Sequence, residues 1–456
     1  MKNILNKIKN IWNIKILRNK LLFTIFFLLI YRFGCYIPLL GINPRCISNF
    51  IEKLNENQSG LTSILSSFTG GAFHRASILA LGIMPYISSC IIIQLISLIF
   101  PKLQKIQKDG ESGKKYINKI IRYLTIIVCF IQAPAYLGIL TNQFIPFSSM
   151  SNVYLINTKY LVNKIIFLFF SVILLTSGTF FTIWLGEKIT EKGIGNGVSL
   201  IILSGLLSRF PALFFNEIMN RFNNIPEGGI YFLIFEILLW LIIVVIILII
   251  TQSVKKIPIQ YVSGQNFGDE EIIKDFTLLR QYFPLKLTIS GVMPIIFSQS
   301  IMLFPTFFSS YINKNFFDKL QDIYGILYNV IFFLLIIFFT FFYTAIIFPV
   351  NQITEDLKKS EAYIPNVKPG KKTSDYFNKI LLKITIPSSL SLAFIAILPT
   401  LVVLIGISKN ISLFYGGTSL LILIGVSLDI MKQIDIFLLN NYYDKISKKK
   451  NNILKL

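Results

Sequence analysis

The chain has 456 residues, of which 54% are hydrophobic and only 14% charged. A soluble globular protein carries about a quarter charged residues, so a water-soluble fold is excluded and a polytopic membrane protein is expected. The net charge of +22 does not argue for nucleic acid, because the 44 basic residues fall mostly in alternate loops, as membrane topology demands.

Residues 1–20 hold six basic side chains and no acid, with Ile4, Leu5, Ile8, Ile11 and Trp12 at helical spacing. This reads as a cytoplasmic amphipathic arm on an anionic leaflet. The apolar run behind it contains Arg32 and no small-residue cleavage site, so it is a retained first helix rather than a signal peptide. Apolar segments of about the 20 residues a bilayer requires fall near 21–40, 76–100, 118–140, 162–185, 196–215, 230–251, 287–308, 324–349, 380–406 and 413–437. They form an N-terminal half, 21–215, and a C-terminal half, 216–440, followed by a basic tail, 441–456.

Loop 101–122 holds seven basic residues against two acids, loop 252–286 five against four, loop 350–379 six against four, and the tail beyond Asp429 adds six. The loops between are short of Lys and Arg, which puts both termini in the cytoplasm. Loops 252–286 and 350–379 are the longest on that side, and long exposed loops serve partners. The segment 41–75 differs. From Gly60 to Phe73 it is half apolar and too polar to span, so it is either a re-entrant segment packed on protein or an ordinary surface loop.

Gly82-Ile83-Met84-Pro85 opens the second apolar segment, and Gly291-Val292-Met293-Pro294 opens the seventh, 209 residues later. Gly/Pro-interrupted segments in corresponding halves mark the substrate path of transport proteins, although helix breakers are common in membrane helices.

Catalytic signatures are sparse. The single histidine, His74, excludes a histidine metal cluster and reads as an interfacial residue. Gly193-Ile194-Gly195-Asn196-Gly197 lacks the spacing of a phosphate loop and reads as a tight turn, with Asn196 at the start of the next helix. Cys35, Cys46, Cys90 and Cys129 are scattered, with no C-x-x-C. No enzyme activity and no cofactor are expected. Ionisable candidates inside the spans are Arg32, which can snorkel to one interface, Glu236 and Asp429, and they make no chain across the midplane.

Several motifs, in order and across essentially the whole length, resemble one family. They are Gly70-Gly71-Ala72 with Ala80-Leu81-Gly82-Ile83-Met84-Pro85-Tyr86-Ile87-Ser88; Gly110-Glu111-Ser112-Gly113; Trp184-Leu185-Gly186-Glu187-Lys188-Ile189-Thr190-Glu191-Lys192-Gly193-Ile194-Gly195-Asn196-Gly197; Pro284-Leu285-Lys286; Leu357-Lys358-Lys359-Ser360; Ile364-Pro365 with Lys368-Pro369-Gly370; and Gly416-Gly417-Thr418-Ser419-Leu420-Leu421. The chain resembles the SecY family, the channel subunits of the bacterial and plastid Sec translocon. The resemblance implies an all-α fold of ten transmembrane helices in two pseudo-symmetric inverted five-helix halves around a central pore. It implies a protein-conducting channel that passes unfolded preproteins and releases apolar segments sideways into lipid.

By motif position the resemblance assigns the pore ring to Ile83, Ile87, Val198, Ile202, Ile296 and Ile422. An aliphatic ring dewets the constriction and seals around a passing chain without directional contacts. The plug falls at about 60–73, with Leu61, Leu65, Phe68, Gly70 and Gly71. Gln94 and Ser300 stand at the lateral gate. Lys255, Lys256, Lys358, Lys359, Lys368, Lys371 and Lys372 stand where the family docks the motor ATPase SecA and the ribosome. The implied partners also include SecE-like and SecG-like small membrane subunits, signal-bearing preproteins and the lipid bilayer. Two departures are visible: the usual basic tip of the first loop is the acidic Gly264-Gln265-Asn266-Phe267-Gly268-Asp269-Glu270-Glu271, and Lys368 replaces an Arg whose bidentate contact Lys cannot reproduce. The resemblance fits the plasma membrane of a bacterium or a plastid membrane. The competing reading is a secondary transporter of a small solute, which predicts coupling through intramembrane charge and no plug.

Overall fold

The structure is a computed structural model that describes residues 12, 14–40, 66, 68–108, 110–143, 161–223, 229–261, 281–308, 322–360, 362–412 and 414–453. Its helices are α1 (Lys15–Gly34), α2 (Met84–Ile99), α3 (Pro101–Lys108), α4 (Gly110–Gln143), α5 (Leu161–Lys192), α6 (Gly197–Asn223), α7 (Gly229–Gln252), α8 (Met293–Phe308), α9 (Ile326–Ile347), α10 (Val350–Lys359), α11 (Lys371–Leu404), α12 (Lys409–Ser412) and α13 (Gly417–Ile453). Among the described residues three strands interrupt them: β1 (Val254–Tyr261), β2 (Gln281–Lys286) and β3 (Ala362–Tyr363).

Among the described residues, six helices are long and apolar enough to cross a membrane: α4, α5, α6, α7, α9 and α11. Helices α2 and α8 are apolar but shorter. The helices overrun the spans drawn from hydropathy. Helix α4 begins eight residues before position 118, so Lys114, Lys115 and Lys119 ride on a helix and not in a loop, and α6 continues past 215 to Asn223. In the opposite sense, the second span begins as turns through residues 69–83, and its helix starts only at Met84.

The chain forms two compact units. The first comprises Met1–Asn224, Ser300–Tyr328 and Ile422–Leu456; the second comprises Ile225–Gln299 and Asn329–Leu421. In the first, α4 packs on α2 and α5, α5 packs on α6 and α1, and α6 also reaches α1. The turn between α5 and α6 ties three helices together. The N–H of Ile194 donates to Thr24 Oγ1 of α1 at 3.2 Å, and that of Gly195 to Gln433 Oε1 of α13 at 2.7 Å. Asn196 caps α6 as its position in the sequence predicts, its Oδ1 accepting from the Val198 N–H at 3.1 Å. Gly197 is obligatory for contact reasons, since a Cβ there would stand 1.9 Å from the carbonyl oxygen of Gly186.

The second unit corrects the all-α expectation. The described parts of loops 252–286 and 350–379 carry strands and helices, while the acidic tip 264–271 lies outside the described residues. β1 pairs antiparallel with β2, from Val254 opposite Lys286 to Ile259 opposite Gln281, and β3 adds to the other edge in the order β2-β1-β3. Ile257, Leu285, Phe348, Ile364, Phe377, Leu381 and Ile384 form the core of this small domain, with Ile353 and Leu357 of α10 packed against it. Three phenylalanine rings, Phe283, Phe348 and Phe377, meet at 6.0–6.2 Å, within the favourable range for aromatic pairs. The alternation Ile257, Ile259, Tyr261 is the period of a half-buried strand, but adjacent lysines and Pro258 disguise it as a loop.

Candidate functional site

The two Gly-x-Met-Pro segments fold alike. Gly82 has φ +55° and Gly291 φ +62°, in the left-handed region that glycine tolerates. Each closes a turn, donating its N–H to the carbonyl three residues back, Gly82 to Leu79 at 2.9 Å and Gly291 to Thr288 at 3.2 Å. The helix then starts with proline in its first turn, where the missing N–H costs nothing. Ile87 donates to Ile83 O at 3.1 Å, and Ile296 to Val292 O at 3.4 Å. Ser89 Oγ and Ser298 Oγ each donate to the proline carbonyl of their own segment at 2.8 Å. Three equivalent bonds at equivalent offsets, opening helices of 16 residues each, establish a local structural repeat that four letters of sequence only hinted at.

Five of the six ring positions are in the first unit and Ile296 is in the second. Ile83 and Ile87 are one turn apart at the start of α2, and Val198 and Ile202 one turn apart at the start of α6; Ile422 lies one turn into α13. All are buried except Val198, which is half-buried. Of the gate positions, Gln94 is half-buried on α2 and Ser300 is buried on α8. The seven docking lysines Lys255, Lys256, Lys358, Lys359, Lys368, Lys371 and Lys372 are all exposed, on β1, α10, the turn before α11 and the start of α11.

Leu61 and Leu65 lie outside the described residues, whereas Phe68, Gly70 and Gly71 are described and buried. They belong to a stem, residues 66 and 68–83, set deep in the first unit and not on its surface. Arg32 Nη1 donates to Gly70 O at 3.3 Å, so Arg32 binds the stem where snorkelling to the interface was expected. Tyr136 Oη of α4 donates to Phe73 O at 2.7 Å, and Thr182 Oγ1 of α5 donates to Gly82 O at 3.2 Å. Arg209 Nη1 of α6 bonds Ser66 Oγ. Two helix glycines make room: a Cβ on Gly178 would meet Ile78 O at 2.3 Å, and one on Gly205 would meet Phe68 O at 2.5 Å. An extended contact to residues 37–39 completes the seat, with Leu39 N–H on Ala76 O at 2.8 Å and Ile78 N–H on Ile37 O at 3.0 Å. His74 is buried here and not interfacial.

Hydropathy missed Arg209, Tyr136, Gly178 and Gly205. The span near 196–215 contains Arg209 without giving it a role, and it stops short of residues 216–223, which continue the helix. Further along the same helix Glu217 and Arg221 pair at 3.2 Å, a spacing of four that would have marked the extension. Among the described residues no group of three or more His, Cys, Asp or Glu side chains could hold a metal ion.

The SecY family model matches residues 77–431. The chain belongs to the SecY family. A protein translocase subunit SecY of Buchnera aphidicola subsp. Baizongia pistaciae is 37% identical over 458 residues, with 98% of each chain covered. Among solved structures, a SecY channel studied for its plug domain superposes with TM-score 0.61 at 16% identity over 91% of each chain. A Sec61 chain from a canine ribosome–channel complex superposes with TM-score 0.58 at 16% identity, again over 91% of each. These superpositions give the SecY/Sec61 fold, and with the six apolar helices they make the chain a multi-pass membrane protein.

Proposed function

We propose that this chain is the protein-conducting channel of a Sec translocase, passing unfolded preproteins across a membrane and releasing apolar segments sideways into lipid. The observation that carries the reading is the match of nearly the whole chain to a protein translocase subunit, 98% of each sequence. The small-solute carrier is not favoured, since the related proteins are translocase subunits and channels.

In this reading ten helices form two inverted five-helix halves around a pore, and the twin segments at Gly82 and Gly291 open the second and seventh of them. Ile83, Ile87, Val198, Ile202, Ile296 and Ile422 form the constriction. Branched aliphatic side chains seal a narrow point by dewetting and hold no passing chain, because they offer it no directional bonds. The segment at about 60–73 is the plug, and Gln94 and Ser300 are polar glue at the lateral gate. Such a pair contributes about 0.6–2 kcal/mol, which a hydrophobic signal segment can outcompete. The exposed lysines around the sheet attract acidic or phosphate-bearing partners, SecA or the ribosome, in a salt-dependent way. SecE-like and SecG-like subunits complete the assembly. The chain sits in a bacterial plasma membrane or a plastid membrane, with both termini cytoplasmic by the distribution of Lys and Arg.

The test is reconstitution with the small subunits and the motor, followed by transport of a preprotein and of small solutes. Preprotein transport, with a stalled preprotein crosslinking to Ile83 and Ile296, is the expected result. Saturable solute uptake, with no crosslink during active transport, would overturn the assignment.

A further inference from the structure

The turn between α5 and α6 is more heavily built than a connection requires. It runs from Gly193 to Gly197 at the end of the longest matched motif, and the channel reading gives it no task. Successive backbone N–H groups there are satisfied by side-chain oxygens. Ile194 donates to Thr24 Oγ1 of α1, Gly195 to Gln433 Oε1 of α13, Gly197 to Thr190 Oγ1 of α5 at 2.9 Å, and Val198 to Asn196 Oδ1. Two of the acceptors are themselves oriented. Thr24 Oγ1 donates its proton to Lys20 O at 2.7 Å and Thr190 Oγ1 to Gly186 O at 2.9 Å, which leaves their lone pairs for the turn. Small residues permit the approach: a Cβ on Gly193 would stand 2.7 Å from Thr24 Oγ1, and one on Gly195, at φ +81°, would stand 3.5 Å from Ile430 Cγ1 of α13. Lys20 Nζ lies 4.6 Å from the centre of the Phe437 ring and joins α1 to α13 directly. All of these groups belong to the first unit.

The bonds act on the opening turns of α6, which carry Val198 and Ile202. Dispersion holds one apolar helix against another without fixing its height or rotation, whereas a hydrogen bond tolerates only a narrow range of distance and angle. A slip of one residue at the turn would swing both side chains by roughly 100°. Gln433 stands about three turns from Ile422 on the same helix, so the bond from Gly195 ties the start of α6 to the helix that carries Ile422. We propose that Thr24, Thr190 and Gln433 are positioning residues for the channel: acting through the backbone of residues 194–197, they set the height and rotation of α6 against α1, α5 and α13, and so the place of Val198 and Ile202 relative to Ile422. The inference rests on the reading of those three aliphatic residues as part of the constriction. An apolar constriction drawn from separate helices works only where its side chains meet at one level, and the brace at the helix ends supplies that alignment.

The experiment uses the complete translocase with its small subunits in proteoliposomes, a stalled preprotein, and a photo-crosslinking amino acid placed in turn at positions 83, 198, 202 and 422. The parent is expected to crosslink the preprotein from all four. Thr24→Val and Gln433→Met keep the side-chain volume and remove the acceptor. Each should lower the yield at 198 and 202 relative to that at 83 on the order of tenfold, the factor carried by leaving a buried donor unpaired. Thr24→Ser and Gln433→Glu keep an acceptor oxygen and should restore the parent ratio. Lys188→Gln breaks only the exposed pair with Glu191 and should leave the ratio unchanged. A parent ratio in both Thr24→Val and Gln433→Met would overturn the brace, and so would an equal loss at all four positions, which is what general destabilisation gives. Should either variant fail to assemble, Thr190→Val against Thr190→Ser decides on the same ratio. A parent that crosslinks from none of the four during preprotein transport removes the constriction itself, whereas a parent that crosslinks from all four, with variants that match it, removes only the brace.

Discussion

Truncation of Phe377 tests whether the small sheet domain stands on its own core. Phe377 is fully buried near the start of α11, with the rings of Phe283 and Phe348 each 6.0 Å away. Phe377→Ala removes a transfer contribution of about 1.5–3 kcal/mol and two ring pairs of about 0.5–1.5 kcal/mol each. The total agrees with the ~3–5 kcal/mol lost when a buried phenylalanine becomes alanine. A two-stranded hairpin is marginal by itself in water, so β1 and β2 depend on this core. Hydrogen–deuterium exchange on the protein in nanodiscs reads the effect. A loss of about 3 kcal/mol corresponds to roughly a hundredfold faster exchange, expected in Val254–Tyr261 and Gln281–Lys286 and not in α4 or α5. Phe377→Leu keeps most of the volume and should cost less than about 1.5 kcal/mol. Unchanged protection of both strands in Phe377→Ala would refute the dependence of the sheet on the phenylalanine cluster.

Gly197→Ala places a Cβ 1.9 Å from Gly186 O and should cost on the order of 1–3 kcal/mol or more as the α5–α6 turn opens. Gly138→Ala on α4, where a Cβ meets nothing within 4 Å, should gain up to about 1 kcal/mol in helix propensity, and thermal melts compare the two directly. Gln94→Leu should shift the hydrophobicity a signal needs for insertion, and a graded signal series with an unmoved threshold would count against a gate role.

Local chemistry was legible wherever it depends on a few consecutive residues. The Gly-x-Met-Pro pairs were visible as letters because a left-handed glycine and a first-turn proline act within one turn. Their equivalence became firm only when the same three bonds appeared in both segments. Asn196 was likewise readable as a cap. The end of α6 was not, because Asn216, Glu217, Asn220 and Arg221 lower hydropathy beyond position 215 although the helix carries on to Asn223.

Composition and the order of motifs determined that this is a membrane protein of the SecY family, since hydropathy and charge asymmetry are additive properties that need no fold to express them. Motif order likewise indicated which helices carry the aliphatic and polar positions. Only tertiary structure decided what the loops and the buried charges do. β1 and β2 pair because Ile257 and Leu285 share a core with Phe348, Phe377 and Leu381, residues far apart in the chain. Arg32 and His74 read as interfacial because single positions carry no record of their partners. His74 is buried in the stem and the half-buried Arg32 bonds the stem's Gly70 carbonyl, and a glycine such as Gly205 shows its reason only when the carbonyl of Phe68 is seen against it.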